Sequence, residues 1–374
     1  MRIGVPKEIK VHEYRVGMTP GAVREAVGRG HEVVVETGAA ERQGVADADY
    51  ERAGARIADT AAEVFAVADL IVKVKEPQLA ECRQLRRGQT LFTYLHLAAD
   101  PEQTQALLAS GVTAIAYETV TSPRGGLPLL APMSEVAGRM AVQAGAHCLE
   151  MEQGGRGMLL GGVAGVPAAR VTVLGGGVAG VNAVRMAIGL EARVTVIDLD
   201  VGRLSVIDQH FGAAVDTVFS TRAAIEDHVL ASDLVIGAVL VPGAAAPKLI
   251  TRDMVRAMPK GSVIVDIAID QGGCCETSRP TTHAAPIYVE SGVVHYCVTN
   301  MPGAVARTST LALNNATLPF ILALAEQGVA KALTADAHLR QGLNVHAGLI
   351  THRAVADAVG AAFNEPLTAL GGAA

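Results

Sequence analysis

The 374-residue chain has no tryptophan, only six phenylalanines and only six tyrosines, so aromatic side chains are too sparse to form a stacking surface. Positive charge is short as well, with 31 Lys and Arg against 37 Asp and Glu and a formal net charge of −6. That balance offers nothing with which to hold a phosphate backbone nonspecifically, and no nucleic-acid partner is expected. The five cysteines (Cys82, Cys148, Cys274, Cys275, Cys297) are odd in number and lack CxxC spacing. The one adjacent pair could bridge only with strain, so a disulfide framework and a zinc site are both unexpected. The opening MRIGVPKEIK reads as a strand and lacks the apolar core and small-residue cleavage site of a signal peptide. A reducing cytoplasm is the expected compartment. Leu159 to Val181 is apolar enough to raise a membrane question, but Pro167, Arg170 and seven glycines interrupt it, which suits a strand, a turn and a helix better.

What the chain has in quantity is small apolar residues and glycine. Half the residues are apolar and 40 are glycine, ten of them between Gly154 and Gly180. Such a chain builds its cores from Ala, Val, Leu and Ile and uses glycine where backbone must bend or approach something closely. From Arg2 to Glu118, the runs RIGV, HEVVVE, LIVKV, TLFTYL and VTAIAYE alternate with amphipathic stretches. Thr19 before Pro20 and Asp100 before Pro101 each place a capping side chain ahead of a proline at the first helical position. A loop over 121–132 follows, then a helix that Ser134 could cap. A second alternating series runs through VTVL, ARVTVI, AVDTVF, DLVIGAVL and SVIVDIAI. Near Arg307 the pattern turns helical again, with Thr308 or Ser309 as cap.

Strands alternating with helices predict an α/β fold: two doubly wound Rossmann-like domains with a cleft between them, joined by long helices. The expected domains are 1–128 with 307–374, for substrate and catalysis, and 129–306, for nucleotide. The C-terminal tail holds too few strands to stand alone and is expected to return to the first domain.

The strongest motif follows the strand VTVL: Gly175, Gly177 and Gly180 in GxGxxG spacing, then a helix, then ARVTVI ending at Asp198. Gly175 permits a tight turn, Gly177 admits a pyrophosphate against the backbone, and Gly180 lets the helix sit close to the strand. The helix N-terminus offers free amides to phosphate. Asp198 would accept from the adenosine ribose hydroxyls and repel a 2′-phosphate, which favours NAD, while nearby Arg203 could tolerate that phosphate.

Several longer words carry a resemblance. RIGVPKEIK (2–10), EYRVGMTP (13–20), VKVKEP (72–77), TYLHL (93–97), DIAIDQGG (266–273), ETSRPTTH (276–283) and NMPGA (300–304) stand in order along the chain. Together they resemble the alanine dehydrogenases, and the first two resemble the proton-translocating transhydrogenases related to them. Ala306 and Thr299 depart from the residues frequent in relatives, beside the cofactor segment. The resemblance implies reversible oxidative deamination of L-alanine to pyruvate and ammonium with NAD, in an assembly for which hexamers are common. It also implies that Arg15 and Lys75 hold the substrate carboxylate and that His96 and Asp270 are the acid/base pair. Cofactor contacts would fall on Ser134, Val178, Ala179, Asp198, Arg203, Ser220, Val239, Leu240, Ile267, Ala268, Ile269, Asp270, Arg279, Val298, Thr299, Asn300 and Met301.

The residue types suit that chemistry. An imidazole, with an ordinary pKa of about 6.5, can both take and give a proton near neutral pH. His96 follows a predicted strand, where α/β ligand sites gather, although a histidine there can also be structural. Asp270 could stabilise a developing cation or serve only as a turn residue. Arg15 can form two parallel bonds to a carboxylate and Lys75 adds a second charge, although single Arg and Lys residues are often just solvated. These anchors fall in the first domain and the cofactor in the second, so catalysis is expected to need closure of the cleft. Two further readings stay open: a nucleotide-binding component of a transhydrogenase, and a noncatalytic NAD-binding regulator.

Overall fold

The structure, a computed structural model, describes residues 1–239 and 246–371. It divides into two compact units, Met1–Met133 with the chain from Val305 onward, and Ser134–Ala304.

The first unit is built on β1 (Arg2–Val5), β2 (Glu32–Glu36), β3 (Arg56–Ala58), β4 (Leu70–Val72), β5 (Thr90–Thr93) and β6 (Thr113–Ala116). The second carries β7 (Arg170–Leu174), β8 (Arg193–Asp198), β9 (Val215–Phe219), β10 (Leu234–Gly237), β11 (Val263–Asp266), β12 (Ile287–Glu290) and β13 (Val293–Tyr296). The late strands β14 (Leu343–His346) and β15 (Leu349–Ile350) return to the first sheet. Its order is β15-β14-β6-β5-β4-β1-β2-β3, and that of the second sheet is β12-β13-β11-β10-β7-β8-β9. β1 to β6 are parallel, as are β7 to β11 with β13, while β14, β15 and β12 attach antiparallel at edges.

Central strands β4, β5, β6, β10 and β11 are buried at every position. Helices cover both faces of a parallel sheet, so such strands read as continuous apolar runs without alternation. In each sheet, the first strand has neighbours reached by chains that leave in opposite directions: β1 lies between β4 and β2, and β7 between β10 and β8. A crevice opens at the carboxyl ends of such a pair, and this is where α/β sheets bind ligands.

Two predicted caps form as expected. Thr19 Oγ1 accepts from Ala22 N at 3.2 Å and Asp100 Oδ1 from Gln103 N at 3.0 Å. Two others do not. Ser134 lies inside the Ala131–Cys148 helix, which starts earlier because Pro132 is preset for a first turn. Thr308 and Ser309 lie inside the Ala306–Gln327 helix, whose cap position is Val305. The run SVIVDIAI is not one strand: β11 stops at Asp266, and Ile267–Gln271 coils into a 3-10 turn that ends at Gly272, φ +89°. Likewise β4 ends at Val72 and β10 at Gly237. The apolar stretch 159–181 divides into a turn, β7 and the start of the Val178–Gly189 helix. Among the described residues, Met301–Gln327 is helical, long and apolar enough to cross a membrane, and half of its most apolar window is buried inside the protein.

Candidate active site

Both crevices are furnished, in different ways. In the second unit the furniture is backbone. Gly175 takes φ +97° and donates to Ile197 O at 2.8 Å, and a Cβ there would lie 2.8 Å from Ala238 O. Gly180 is more constrained still, since a Cβ would sit 1.8 Å from Gly175 O. Gly177, which opens the Val178–Gly189 helix, meets nothing within 4 Å of its Cβ direction. The loop is therefore shut where it touches protein and open where the helix amides point, an arrangement that fits a pyrophosphate. Asp198, at the end of β8, accepts from Gly176 N through Oδ2 at 2.6 Å and from Asp200 N through Oδ1 at 2.8 Å. Each carboxylate oxygen keeps a second lone pair for a ribose hydroxyl. Arg203 is exposed in the first turn of the following helix, and its side chain lies beside Gly176.

The other predicted cofactor residues are spread over several elements of the second unit. Ser220 N donates to Asp198 O, and Val239 N is 3.1 Å from where a Gly175 Cβ would stand. Leu240 lies outside the described residues. Ser134 is on the Ala131–Cys148 helix, which packs on the nucleotide helix so closely that a Cβ at Gly138 would lie 2.0 Å from Ala179 O. The Ile267–Gln271 turn buries Ala268 and Ile269 and exposes Asp270. Arg279 is exposed, with its guanidinium 4.0 Å from the Tyr288 ring centre. Val298 and Met301 are buried, while Thr299 and Asn300 are partly open, Asn300 with φ +59°.

In the first unit the furniture is charge. Arg15 is buried, and its Nε and Nη2 grip Glu13 at 2.7 and 2.6 Å, while Nη1 lies 3.0 Å from Met133 Sδ. The edge of the guanidinium best suited to a carboxylate thus already faces a protein carboxylate. Lys75 is mostly covered, with Nζ 3.9 Å from Glu76 Oε2. Burial alone would push Glu76 up, but Lys75 and Lys10 hold its carboxyl below the usual range. Lys73, beside them, is fully buried between Glu8 (3.1 Å) and Glu81 (2.7 Å).

His96 is different. It stands past the end of β5 in the left-handed region, φ +53°, where a residue with a β-carbon is uncommon. Glu118 holds it there by accepting from His96 N at 2.6 Å and Leu95 N at 3.2 Å. The imidazole stacks on Tyr94, with centroids 5.9 Å apart and planes 6° from parallel, and remains 46% exposed. Strain concentrated on an accessible imidazole is a mark of a functional position. The structure therefore brings Arg15, Lys75 and His96 to one sheet edge of the first unit, whereas Asp270 belongs to the second unit.

The partners Glu8, Glu13, Lys73, Glu81, Tyr94 and Glu118 were not picked out in the sequence. The charged positions of the VKVKEP and EYR words could have signalled Lys73 and Glu13; nothing local singles out the other four. All five cysteines are free and buried, and no group of three or more His, Cys, Asp or Glu among the described residues could hold a metal. Asp266 is fully buried and accepts from Cys274 N at 2.9 Å and Ser278 Oγ at 2.6 Å, which ties down the loop after the Asp270 turn.

The family models named Alanine dehydrogenase/PNT, N-terminal domain and Alanine dehydrogenase/PNT, C-terminal domain match residues 4–137 and 141–353. A curated protein of Halomonas elongata named Alanine dehydrogenase is 63% identical over 371 residues, 99% of this chain and 100% of its own. One from Mycobacterium tuberculosis with the same name is 52% identical over 370 residues, again 99% and 100%. Among solved structures, an L-alanine dehydrogenase superposes with TM-score 0.93 at 53% identity, covering 96% of this chain and 99% of its own. A transhydrogenase from Sinorhizobium meliloti reaches 0.81 at 28%, covering 95% and 100%. With two family models filling most of the chain and full-length relatives at more than half identity, the protein belongs to the alanine dehydrogenase/PNT family.

Proposed function

We propose that the chain is an NAD-dependent alanine dehydrogenase, converting L-alanine, NAD and water to pyruvate, ammonium, NADH and a proton, and running in reverse as a reductive amination. The observation that carries this reading is full-length identity of 63% to a relative named for that activity, with Arg15, Lys75 and His96 at one sheet edge. The transhydrogenase and regulator readings leave that charged set without work.

NAD, when bound, accepts hydride from the substrate Cα. Gly175, Gly177 and Gly180 with the amides of Val178 and Ala179 would hold its pyrophosphate, and Asp198 its adenosine ribose. Ser134, Arg203, Ser220, Val239, the 267–270 turn, Arg279 and residues 298–301 would complete its contacts. Lys75 and Arg15 hold the substrate carboxylate. Because Glu13 neutralises one edge of Arg15, Lys75 supplies the larger share of the uncompensated charge. His96 moves protons: it takes one from the substrate ammonium before the hydride leaves and passes it to solvent, then takes one from the attacking water and gives it to the departing nitrogen. Tyr94 fixes the plane of its ring and Glu118 fixes its backbone. Asp270, an exposed carboxylate, stabilises the cationic iminium.

The domain division follows the same lines, substrate on the first unit and nucleotide on the second. Five free thiols suit a reducing cytoplasm. Assembly as a homo-oligomer, a hexamer by resemblance, is read by light scattering. The test of the activity is absorbance at 340 nm when purified protein meets NAD and L-alanine at alkaline pH, which draws off the released proton. NADH formation dependent on alanine is expected; silence with alanine and with pyruvate, ammonium and NADH would sink the reading.

A further inference from the structure

Lys75 does not stand on a strand. β4 ends at Val72, and its neighbour β1 has already ended at Val5, so Lys73, Val74 and Lys75 run on with no strand on the β1 side. On the β5 side the ladder continues: Lys73 N donates to Phe92 O at 3.2 Å, Tyr94 N to Val74 O at 3.2 Å, and Thr93 Oγ1 to Lys75 O at 2.9 Å. Tyr117 OH donates to Lys73 O at 2.9 Å. Two amides remain, those of Val74 and Lys75, and in a buried place each must find an acceptor. One side chain serves both. Glu8 Oε1 accepts from Val74 N at 2.6 Å and Lys75 N at 3.3 Å, while its Oε2 faces Lys73 Nζ at 3.1 Å. Glu8 thus stands in for the missing strand.

The rest of the cluster makes that substitution affordable. A carboxylate removed from water needs a counter-ion and full hydrogen bonding. Lys73 supplies the charge to Glu8 and shares it with Glu81, whose Oε2 accepts from Gln78 N at 2.8 Å and so shapes the turn after Pro77. Three fully or nearly fully buried charged groups are a poor source of net stability, since apolar residues of the same volume commonly do as well. Their distinctive product is a fixed geometry for three consecutive residues, the last of which is Lys75.

We propose that Glu8 is a positioning residue for substrate binding: by gripping the Val74 and Lys75 amides it aims the Lys75 ammonium, and the Lys73–Glu81 pair holds Glu8 in place. This rests on the reading of Lys75 as a carboxylate anchor. Glu8 touches no reactant and acts only through Lys75.

The test is a double-mutant cycle read in KM for pyruvate at saturating NADH and ammonium, with NADH affinity measured alongside by fluorescence titration. Glu8→Leu leaves the Lys73–Glu81 pair in balance but deprives two amides of their acceptor. It should raise KM for pyruvate about tenfold while NADH affinity stays within about twofold. Glu8→Gln, which keeps an acceptor oxygen for Val74 N, should recover a good part of that loss. In a Lys75→Met background Glu8→Leu should have no further effect on KM. A Glu8→Leu enzyme with unchanged KM, a Glu8→Gln enzyme as impaired as Glu8→Leu, or full additivity with Lys75→Met would each overturn the proposal. If Lys75→Met itself leaves KM unchanged, the anchor reading fails first and the proposal falls with it; if Lys75→Met raises KM but the two changes add, only the proposal falls. Should Glu8→Leu not fold, Glu8→Asp carries the same cycle, because it keeps the charge beside Lys73 and draws the carboxylate back from both amides.

Discussion

The two sheet edges solve the same problem with opposite materials. The edge at β7 and β10 is made of backbone: three glycines, helix amides, and one aspartate that organises the loop and is proposed to take a ribose. The edge at β1 and β4 is made of side-chain charge, with Arg15, Lys73 and Lys75 threaded among Glu8, Glu13, Glu76 and Glu81. A dinucleotide is large and presents a diffuse phosphate charge, so many weak backbone donors suffice. A three-carbon acid offers one carboxylate and one amine, so a few strong, well-aimed groups must do all the binding. The difference teaches where each edge is fragile: the β1 and β4 edge to loss of single charges, the β7 and β10 edge to an added β-carbon at Gly175 or Gly180.

The largest expected effect lies on the charged edge. His96→Ala should lower kcat by about 10² to 10⁴ with NADH affinity unchanged, as measured by steady-state kinetics and fluorescence titration. Near-normal turnover would remove His96 from the mechanism. Next, Gly180→Ala drives a β-carbon into the Gly175 carbonyl and should weaken NADH binding by about 100-fold. Retained affinity would mean that the loop can shift without losing its ligand, and the contrast between the edges would soften. Arg15→Ala should mix two effects. It removes substrate charge, and it also strips the guanidinium facing buried Glu13, at a cost of about 3 to 5 kcal/mol in stability by thermal melting.

The smallest effect concerns the thiols, which neither edge uses. Burial pushes Cys82 and Cys297 up to about 11 and Cys148 up to about 12, so all three stay neutral in the folded protein. Their contribution to stability is complete below the unfolded pKa of about 8.5 and is lost as pH rises toward those values. Native protein at pH 8 should take up no iodoacetamide, whereas denatured protein should take up five equivalents. Four of these thiols belong to the second unit, so early labelling there would show its core to be looser than the first.

How much of this was legible in the sequence follows the same divide. The glycine loop could be read directly, because turn, close approach and helix packing are local demands met within six residues, and each names glycine. The central strands could be read from their apolar runs. β11 was overrun in that reading because Ala268 and Ile269 stay buried after the chain has turned, so the apolar pattern outlasts the strand. β3, β12, β13, β14 and β15 were not marked, being two to four residues long and dependent on neighbours supplied by distant chain. The charged edge was half visible. Arg15, Lys75 and His96 stood in distinctive words, but Glu8 meets Val74 across 66 residues and Glu118 meets His96 across 22. A carboxylate that replaces a strand or props a strained residue has no local signature; only the fold brings it to its amide.

The division of labour between the edges is tested most directly on one preparation of Lys75→Met, with NADH affinity and alanine turnover measured side by side. The account predicts NADH affinity within about twofold of the parent and alanine kcat/KM lower by about tenfold or more. Equal loss of both would contradict it.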